Sequence, residues 1–232
     1  MLKIENTVTP SPEQWKFVIN GARNPLESWT RSDSYIQYEN VRDSTGMFIM
    51  GPNDHDLLMR LAKNGTDHSK YRRMLPVMVD ITGPFYYFKE LDTYKIGTVC
   101  NSCSTMHCVH KRNFVWEDFS IEHLLPQSLA ELEKTINKLN HYRNIYINGG
   151  VELITDTSLR EYEPRSKEIW WQIIQLLPTC YNQRRSYSFN YEVLANIYRS
   201  RRNHKLDCWH TFCDWVKNDL PYSELITLEE LK

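Results

Sequence analysis

The stretch from Gln175 to Trp209, QLLPTCYNQRRSYSFNYEVLANIYRSRRNHKLDCW, does most to limit what this chain can fold into. Pro178 breaks the helical pattern before it. Ser186, Tyr187, Ser188 and Phe189 then form a short alternating run, and Asn190 stands at the entry of a helix. That helix ends in a cationic cluster. From Tyr181 to Lys205 there are six Lys or Arg (Arg184, Arg185, Arg199, Arg201, Arg202, Lys205) against one acid, Glu192, in a chain of net charge -1. The local excess of cation marks a place for an anionic partner. The near-neutral whole argues against binding a nucleic acid polymer through global charge.

Upstream, Ser11 and Pro12 start a helix that runs to about Ala22, with Trp15 and Val18 on its inner face. The aperiodic segment from Arg23 to Gly51 is a functional loop or a hairpin around Tyr35–Tyr38 and Met47–Met50. Asn53 or Asp54 caps the next helix, whose apolar positions are Leu57, Leu58, Leu61 and Ala62 and which ends at Asn64-Gly65. Met74–Ile81 reads as a strand with Val77, Val79 and Ile81 on one face. Pro84 opens an aromatic helix, PFYYFKELDTYK, too apolar to stand in water.

Ile96–His110 reads as loop with little regular structure. Ser128 and Glu131 form a capping box for a helix from about Leu129 to Asn148, closed by Gly149-Gly150. Pro164 and Ser166 open another helix, carrying Ile169, Trp170, Ile173, Ile174 and Leu177. After the cationic cluster, Leu206–Asn218 is amphipathic through Trp209, Phe212, Cys213 and Val216, and Pro221 separates it from a short last helix. Five or six helices, few strands and no β/α alternation favour an α+β class. No linker-like composition divides the chain, so a single domain over residues 1–232 is expected. With 232 residues, seven Trp and fourteen Tyr, it has the material for a real core. There is no bilayer-spanning apolar run and no export signal, and six cysteines without such a signal read as free thiols, so a cytoplasmic location is expected.

Three groups of residues offer chemistry. Cys100, Cys103, His107, Cys108 and His110 have ligand types for Zn(II), but they crowd into eleven residues rather than forming two distant chelating pairs; loop thiols are the plainer reading and no metal is expected. Cys180, Cys208 or Ser104 beside a His would suit nucleophilic catalysis. No nucleophile elbow is present, however, and Cys208 and Cys213 have the helical spacing of small buried hydrophobes. The cationic helix combines Asn190, Asn196 and Arg201 with His204 three residues on. Asn both donates and accepts and Arg presents a rigid fork, so the set suits the carbonyl and imide edge of a heterocycle. A solvated basic helix end would have the same spacing.

Leu177-Pro178, Tyr181, Asn190, Leu194, Asn196, Arg201, His204 and Trp209 occur in an order that resembles the C-terminal signature of the flavin-dependent thymidylate synthases, the ThyX family. Upstream order is similar too: Gly21-Ala22-Arg23 resembles the family's early A-A-R segment, Met74–Pro84 its strand-Pro-helix unit, and Gly97–His107 the region after its R-H-R triplet. That triplet falls on Thr93-Tyr94-Lys95.

The resemblance implies a helix-rich α+β fold with a small mixed or antiparallel sheet and long helices, assembled as a homotetramer with shared active sites. It implies reductive methylation of a pyrimidine deoxynucleotide, dUMP or a relative, with FAD as cofactor and NADPH and methylenetetrahydrofolate as co-substrates. Arg201 would polarise the base as the catalytic residue and bind substrate. Ser104 and Lys95 would help hold phosphate, and Glu90 and Gln175 fall on nucleotide-binding positions. Asn190, Asn196, His204, His68 and Asn101 fall on cofactor positions. Two other readings remain open: a non-catalytic nucleotide-binding protein on the same scaffold, and a structural or metal-stabilised interaction protein.

Overall fold

A computed structural model describes residues 2–38, 46–148 and 166–229. The elements are β1 (Lys3–Val8), α1 (Pro12–Arg23), β2 (Tyr35–Gln37), β3 (Met47–Ile49), α2 (Pro52–Lys63), β4 (Pro76–Pro84), α3 (Phe85–Leu91), β5 (Val99–Ser102), α4 (Thr105–Cys108), α5 (Pro126–Ile147), α6 (Ser166–Leu176), β6 (Asn182–Asn190), α7 (Tyr191–Arg201), α8 (Asp207–Asn218) and α9 (Glu224–Thr227). The class is α+β: helices predominate over a four-stranded sheet of order β1-β4-β6-β5 and a hairpin of β2 with β3. Among the described residues no helix is long and apolar enough to cross a membrane.

The residues group into two compact units, one of Leu2–Ile81, Leu91–Asn101 and Ser186–Lys232, the other of Thr82–Glu90 and Ser102–Arg185. The first is built round Trp15, held on α1 by the cap that the sequence announces: Ser11 Oγ accepts from Gln14 N–H while Gln14 Oε1 accepts from Ser11 N–H. Trp15 stacks on Phe48 with centroids 5.8 Å apart and meets Tyr191 and Tyr222 edge-on at 5.5 and 5.2 Å. Val77, Val79 and Ile81 are buried on one face of β4, and Tyr187 and Phe189 on one face of β6. Trp209, Phe212, Cys213 and Val216 form the buried stripe of α8. The hairpin is the alternative realised between residues 23 and 51, with Ile36 opposite Phe48.

In the second unit α5 packs on α6. Leu132, Ile136, Leu139 and Ile173 close over Val109, Phe114 and Phe119. Asn140 fastens the preceding loop by accepting from Phe114 N–H and donating to Phe114 O, at 2.8 and 3.0 Å.

Several local expectations are corrected. Ile96–His110 is not mostly loop, since it contains β5 and α4. All four residues of β5 are exposed, so the strand shows no hydrophobic alternation and is held by backbone pairing at the sheet edge. The cap of α2 is Gly51, not Asn53 or Asp54. The orphan N–H groups of Asn53 and Asp54 are instead met by the Asp33 carboxylate, at 3.0 and 3.1 Å. Helix α5 opens at Pro126 after extended Leu125, three residues before Leu129, and so has no Ser128 cap. Helix α3 stops at Leu91, where Asp92 turns aside and accepts from the Tyr187 hydroxyl at 3.3 Å. Gly149-Gly150 and Pro164 lie outside the described residues.

Candidate functional site

Helix α7 is the backbone of the site. Asn190 is extended (φ -131, ψ 167), and its Oδ1 accepts from Val193 N–H at 3.0 Å, fixing the start of the helix where β6 ends. Arg201 closes the last turn, where the helix dipole favours a cation. Its Nε donates to the Tyr94 hydroxyl at 2.9 Å. Its guanidinium carbon lies 4.9 Å from the Trp209 ring centre and 5.6 Å from that of Tyr94. Trp209 is fully buried on α8 and meets the Tyr94 ring at 6.2 Å. A half-buried guanidinium is thus held between two aromatic faces, a geometry that fixes its plane and suits recognition of a flat ring or a two-oxygen acceptor.

His204 completes this corner. Its N–H donates to Arg201 O at 2.9 Å, and its Nδ1 accepts from Leu206 N–H at 3.2 Å, which places the neutral ring's proton on Nε2. The loop opposite is anchored at both ends of α7: Tyr94 reaches Arg201, and Gly97, at φ +78, lies so close that a Cβ there would stand 2.9 Å from Asn190 Nδ2 and 3.0 Å from Val193 Cγ2. Lys95 is exposed on this loop. Arg201, His204, Asn190 and Lys95 are therefore gathered along α7 and its neighbouring loop.

The remaining candidates of this unit stand elsewhere. Asn196 is used by its own helix, its Oδ1 accepting from Arg199 Nη2 at 2.9 Å. It sits roughly 140° round α7 from Arg201, at about 100° per residue. His68 is exposed in the turn after α2. Asn101, on β5, lines a separate hollow of about 250 Å³ together with Asp80 and Ser186.

In the other unit Ser104 caps α4, its Oγ accepting from His107 N–H at 3.3 Å. Glu90 is half-buried on α3 and Gln175 is exposed near the end of α6. The turn carrying Ser104 is pinned by Gln183, whose Nε2 donates to Cys103 O at 2.6 Å, and by Cys103 N–H bonding to Arg184 O at 2.9 Å. Burial, then the neighbouring Cys108, pushes the Cys103 thiol above its ordinary pKa. Among the described residues no three His, Cys, Asp or Glu side chains come together as a metal-holding group.

Sequence reasoning missed Tyr94 as the partner of Arg201, because the two stand 107 positions apart. It also missed that Glu192, the one acid of the cationic stretch, is buried and paired: its Oε2 accepts from Ser69 Oγ at 3.1 Å and lies 3.5 Å from Arg72 Nη1. Its neighbours Tyr191, Val193 and Leu194 gave some signal, since they put position 192 in a buried turn.

This architecture is the fold of the flavin-dependent thymidylate synthases. Two crystal structures of thymidylate synthase X (ThyX) from Helicobacter pylori, each with FAD and dUMP, match the chain with TM-scores of 0.60 and 0.58. Both are 16% identical in sequence, and the match covers 97% of this chain and 96% and 97% of theirs. No sequence-family model matches the chain, and no curated protein sequence matches it.

Proposed function

We propose that the chain is a divergent flavin-dependent thymidylate synthase-like enzyme that reductively methylates a pyrimidine deoxynucleotide, dUMP or a related nucleotide. The observation that carries this reading is Arg201, held by Tyr94 and Trp209 at the end of α7 in a chain with the fold of the FAD- and dUMP-containing structures. Arg201 binds the base edge and stabilises the negative charge that builds on the pyrimidine during attack. Lys95 and Ser104 contribute to phosphate binding, and Glu90 and Gln175 to holding the nucleotide. The residues near α7 have the right chemistry for an isoalloxazine: flat aromatic walls, the Asn190 amide and the His204 Nε2 donor. Asn196, His68 and Asn101 are further cofactor-binding candidates. When bound, FAD reduced by NADPH supplies the hydride, and methylenetetrahydrofolate supplies the carbon.

On this reading residues 1–232 act as one domain, and four copies assemble into a tetramer of about 111 kDa, four times 27.7 kDa. The six cysteines are all free, which supports a reducing, cytoplasmic setting. One observation favours the second reading, a nucleotide-binding protein without turnover: Asn190 and Asn196 already spend a side-chain oxygen on the protein itself.

The visible spectrum of the purified protein separates the two. The enzyme reading expects a flavin band near ~450 nm, NADPH oxidation that needs dUMP and methylenetetrahydrofolate, and loss of both dUMP binding and turnover in Arg201→Ala. A colourless protein that takes up no added FAD sinks the enzyme reading. If such a protein is still stabilised by pyrimidine nucleotides, the binding reading stands.

A further inference from the structure

Cys103 stands just before α4 and Cys108 ends it, and their thiols are hydrogen-bonded to each other. The contact is held through the backbone on both sides. Cys103 N–H donates to Arg184 O at 2.9 Å, and Cys103 O accepts from Gln183 Nε2 at 2.6 Å. Gln183 Nε2 also donates to Thr105 Oγ1 at 3.2 Å, which ties the start of α4 to the same side chain. Cys108 N–H donates to Ser104 O at 3.0 Å, and the next residue, Val109, is 5% exposed in the core beneath α5 and α6. One sulfur is thus anchored through Gln183 and Arg184 and the other through Val109. Neither is sealed from reagents in water: Cys103 is exposed and Cys108 half-buried.

Two anchored sulfurs already in contact need little chain movement to become bonded. In the unfolded chain the same thiols meet only by random closure of the loop, so the folded turn raises their effective concentration. Lys111, Arg112 and Tyr181 face the pair, and Arg112 is itself held by Asp118. Burial, then Cys108, raises the Cys103 thiol against the opposing pull of Lys111 and Arg112, so it keeps its proton at neutral pH. The reduced pair therefore lacks the thiolate stabilisation that makes some disulfides strong oxidants.

We propose that Cys103 and Cys108 are a redox modification site, a dithiol that a low-molecular-weight disulfide converts reversibly into an intramolecular bond across α4. One protein thiolate attacks a sulfur of the small disulfide. That S–S bond breaks, a mixed disulfide forms, and the first small thiol leaves with the proton. The second protein thiolate then attacks the protein sulfur of the mixed disulfide. The Cys103–Cys108 bond forms, and the second small thiol leaves with the other proton. The protein is oxidised by two electrons and the small disulfide is reduced to two thiols. The sequence offers a nearer pair, Cys100 and Cys103 in a Cys-x-x-Cys run, but it is Cys108 that the fold brings to Cys103. The inference does not depend on flavin or nucleotide chemistry.

The test equilibrates the full folded chain with mixtures of glutathione and glutathione disulfide, quenches in acid, alkylates the remaining thiols and maps the peptides by mass. The expected product has lost two alkylatable thiols, carries no glutathione on them, and returns to the dithiol with dithiothreitol. Cys100→Ser keeps the bond. Cys103→Ser and Cys108→Ser each lose it and leave the remaining partner as a glutathione mixed disulfide. Both replacements are near-isosteric and neither position is fully buried, so the fold is not at risk. The wild type unfolded in urea and held in the same mixtures supplies a second measurement. The effective concentration of the pair should be at least ~10-fold higher in the folded chain. A folded value equal to or below the unfolded one overturns the proposal. So does a wild type that yields only mixed disulfides, or a bond that survives Cys108→Ser and is lost in Cys100→Ser.

Discussion

Replacing Asp54 by Asn should be one of the most damaging single-atom-scale changes this protein can suffer. The carboxylate is fully buried and faces Arg23, which is 4% exposed. Arg23 Nε donates to Asp54 Oδ1 at 2.6 Å. The other oxygen, Oδ2, accepts from Ser32 Oγ, Asp33 N–H, Ser34 N–H and Ser34 Oγ at 2.8, 3.1, 3.0 and 2.7 Å. Asn has only one acceptor oxygen, so its NH₂ must point either at the guanidinium or at the four donors of the loop, and Arg23 loses its counter-charge. Breaking a buried ion pair by removing one partner costs about 3–5 kcal/mol. For a chain of this size each kcal/mol is worth about 2–4 °C, so the Tm should fall by roughly 6–20 °C.

Calorimetric Tm values as a function of pH check both the size and the origin of the loss. Burial pushes the Asp54 carboxyl up, but hydrogen bonds from Ser34, Ser32 and Arg23 outweigh it and leave the group below its ordinary value. A carboxylate whose pKa is lowered on folding adds stability that is fully present above its unfolded pKa, about 3.9, and is lost as pH falls through the lower folded value. The gap between wild type and Asp54→Asn should therefore stay constant from pH 7 to about 5 and shrink only below about 4. A Tm loss under about 2 °C at pH 7, or a gap that closes already between pH 7 and 5, refutes the reasoning. The double replacement Arg23→Met/Asp54→Leu should recover a large part of the loss, because it removes both charges and their desolvation together.

Gly97→Ala should cost more than ~1 kcal/mol in chemical denaturation, from the left-handed backbone alone, because φ is +78 and the new Cβ meets Asn190 Nδ2 at 2.9 Å; an unchanged midpoint would show that the loop is not packed on α7. Asn190→Asp keeps the cap oxygen and should leave stability within ~0.5 kcal/mol while Asn190→Ala loses about 1 kcal/mol. FAD titration then separates the cap from the amide donor, since weakened FAD binding in Asn190→Asp is expected only if Nδ2 serves the cofactor. Burial, with Asp214 nearby, pushes the Cys213 thiol up to about 12. Alkylation at pH 8 followed by peptide mapping should thus mark exposed Cys100 early and Cys213 only on unfolding.

What the sequence made legible were the features whose cause is local. Ser11 with Gln14 specifies its cap within one turn, and the alternations Val77, Val79, Ile81 and Tyr187, Phe189 record which face of each strand is buried. What it hid were features whose cause lies far along the chain. The start of α2 is capped by Asp33 from twenty positions upstream, so the nearby Asn53 and Asp54 look like caps, while Asp54 actually serves Arg23. Strand β5 has no apolar face to betray it, because all four of its residues are exposed and it is held to its neighbour by backbone pairing. Tyr94 and Arg72 each meet α7 from more than a hundred positions away.

The same distinction governs the motif on α7. Asn190, Asn196 and Arg201 keep a family-like spacing, yet at about 100° per residue only Asn190 and Arg201 fall on one side of the helix, roughly 20° apart, while Asn196 lies roughly 140° away. Spacing that agrees with a family does not therefore bring every member of the motif to one site. Here Asn190 turns to Val193 and Gly97, Asn196 to Arg199, and Arg201 to Tyr94 and Trp209. A helix that presents functional groups on several sides can line more than one surface at once, and α7 does border two: an aromatic corner at Arg201 and a cationic cavity at Glu192, Arg199 and Arg202. The local cation excess that first marks this stretch is accordingly divided between them. Its net effect on any one ligand depends on which face the ligand meets, because the helix itself stands between the two.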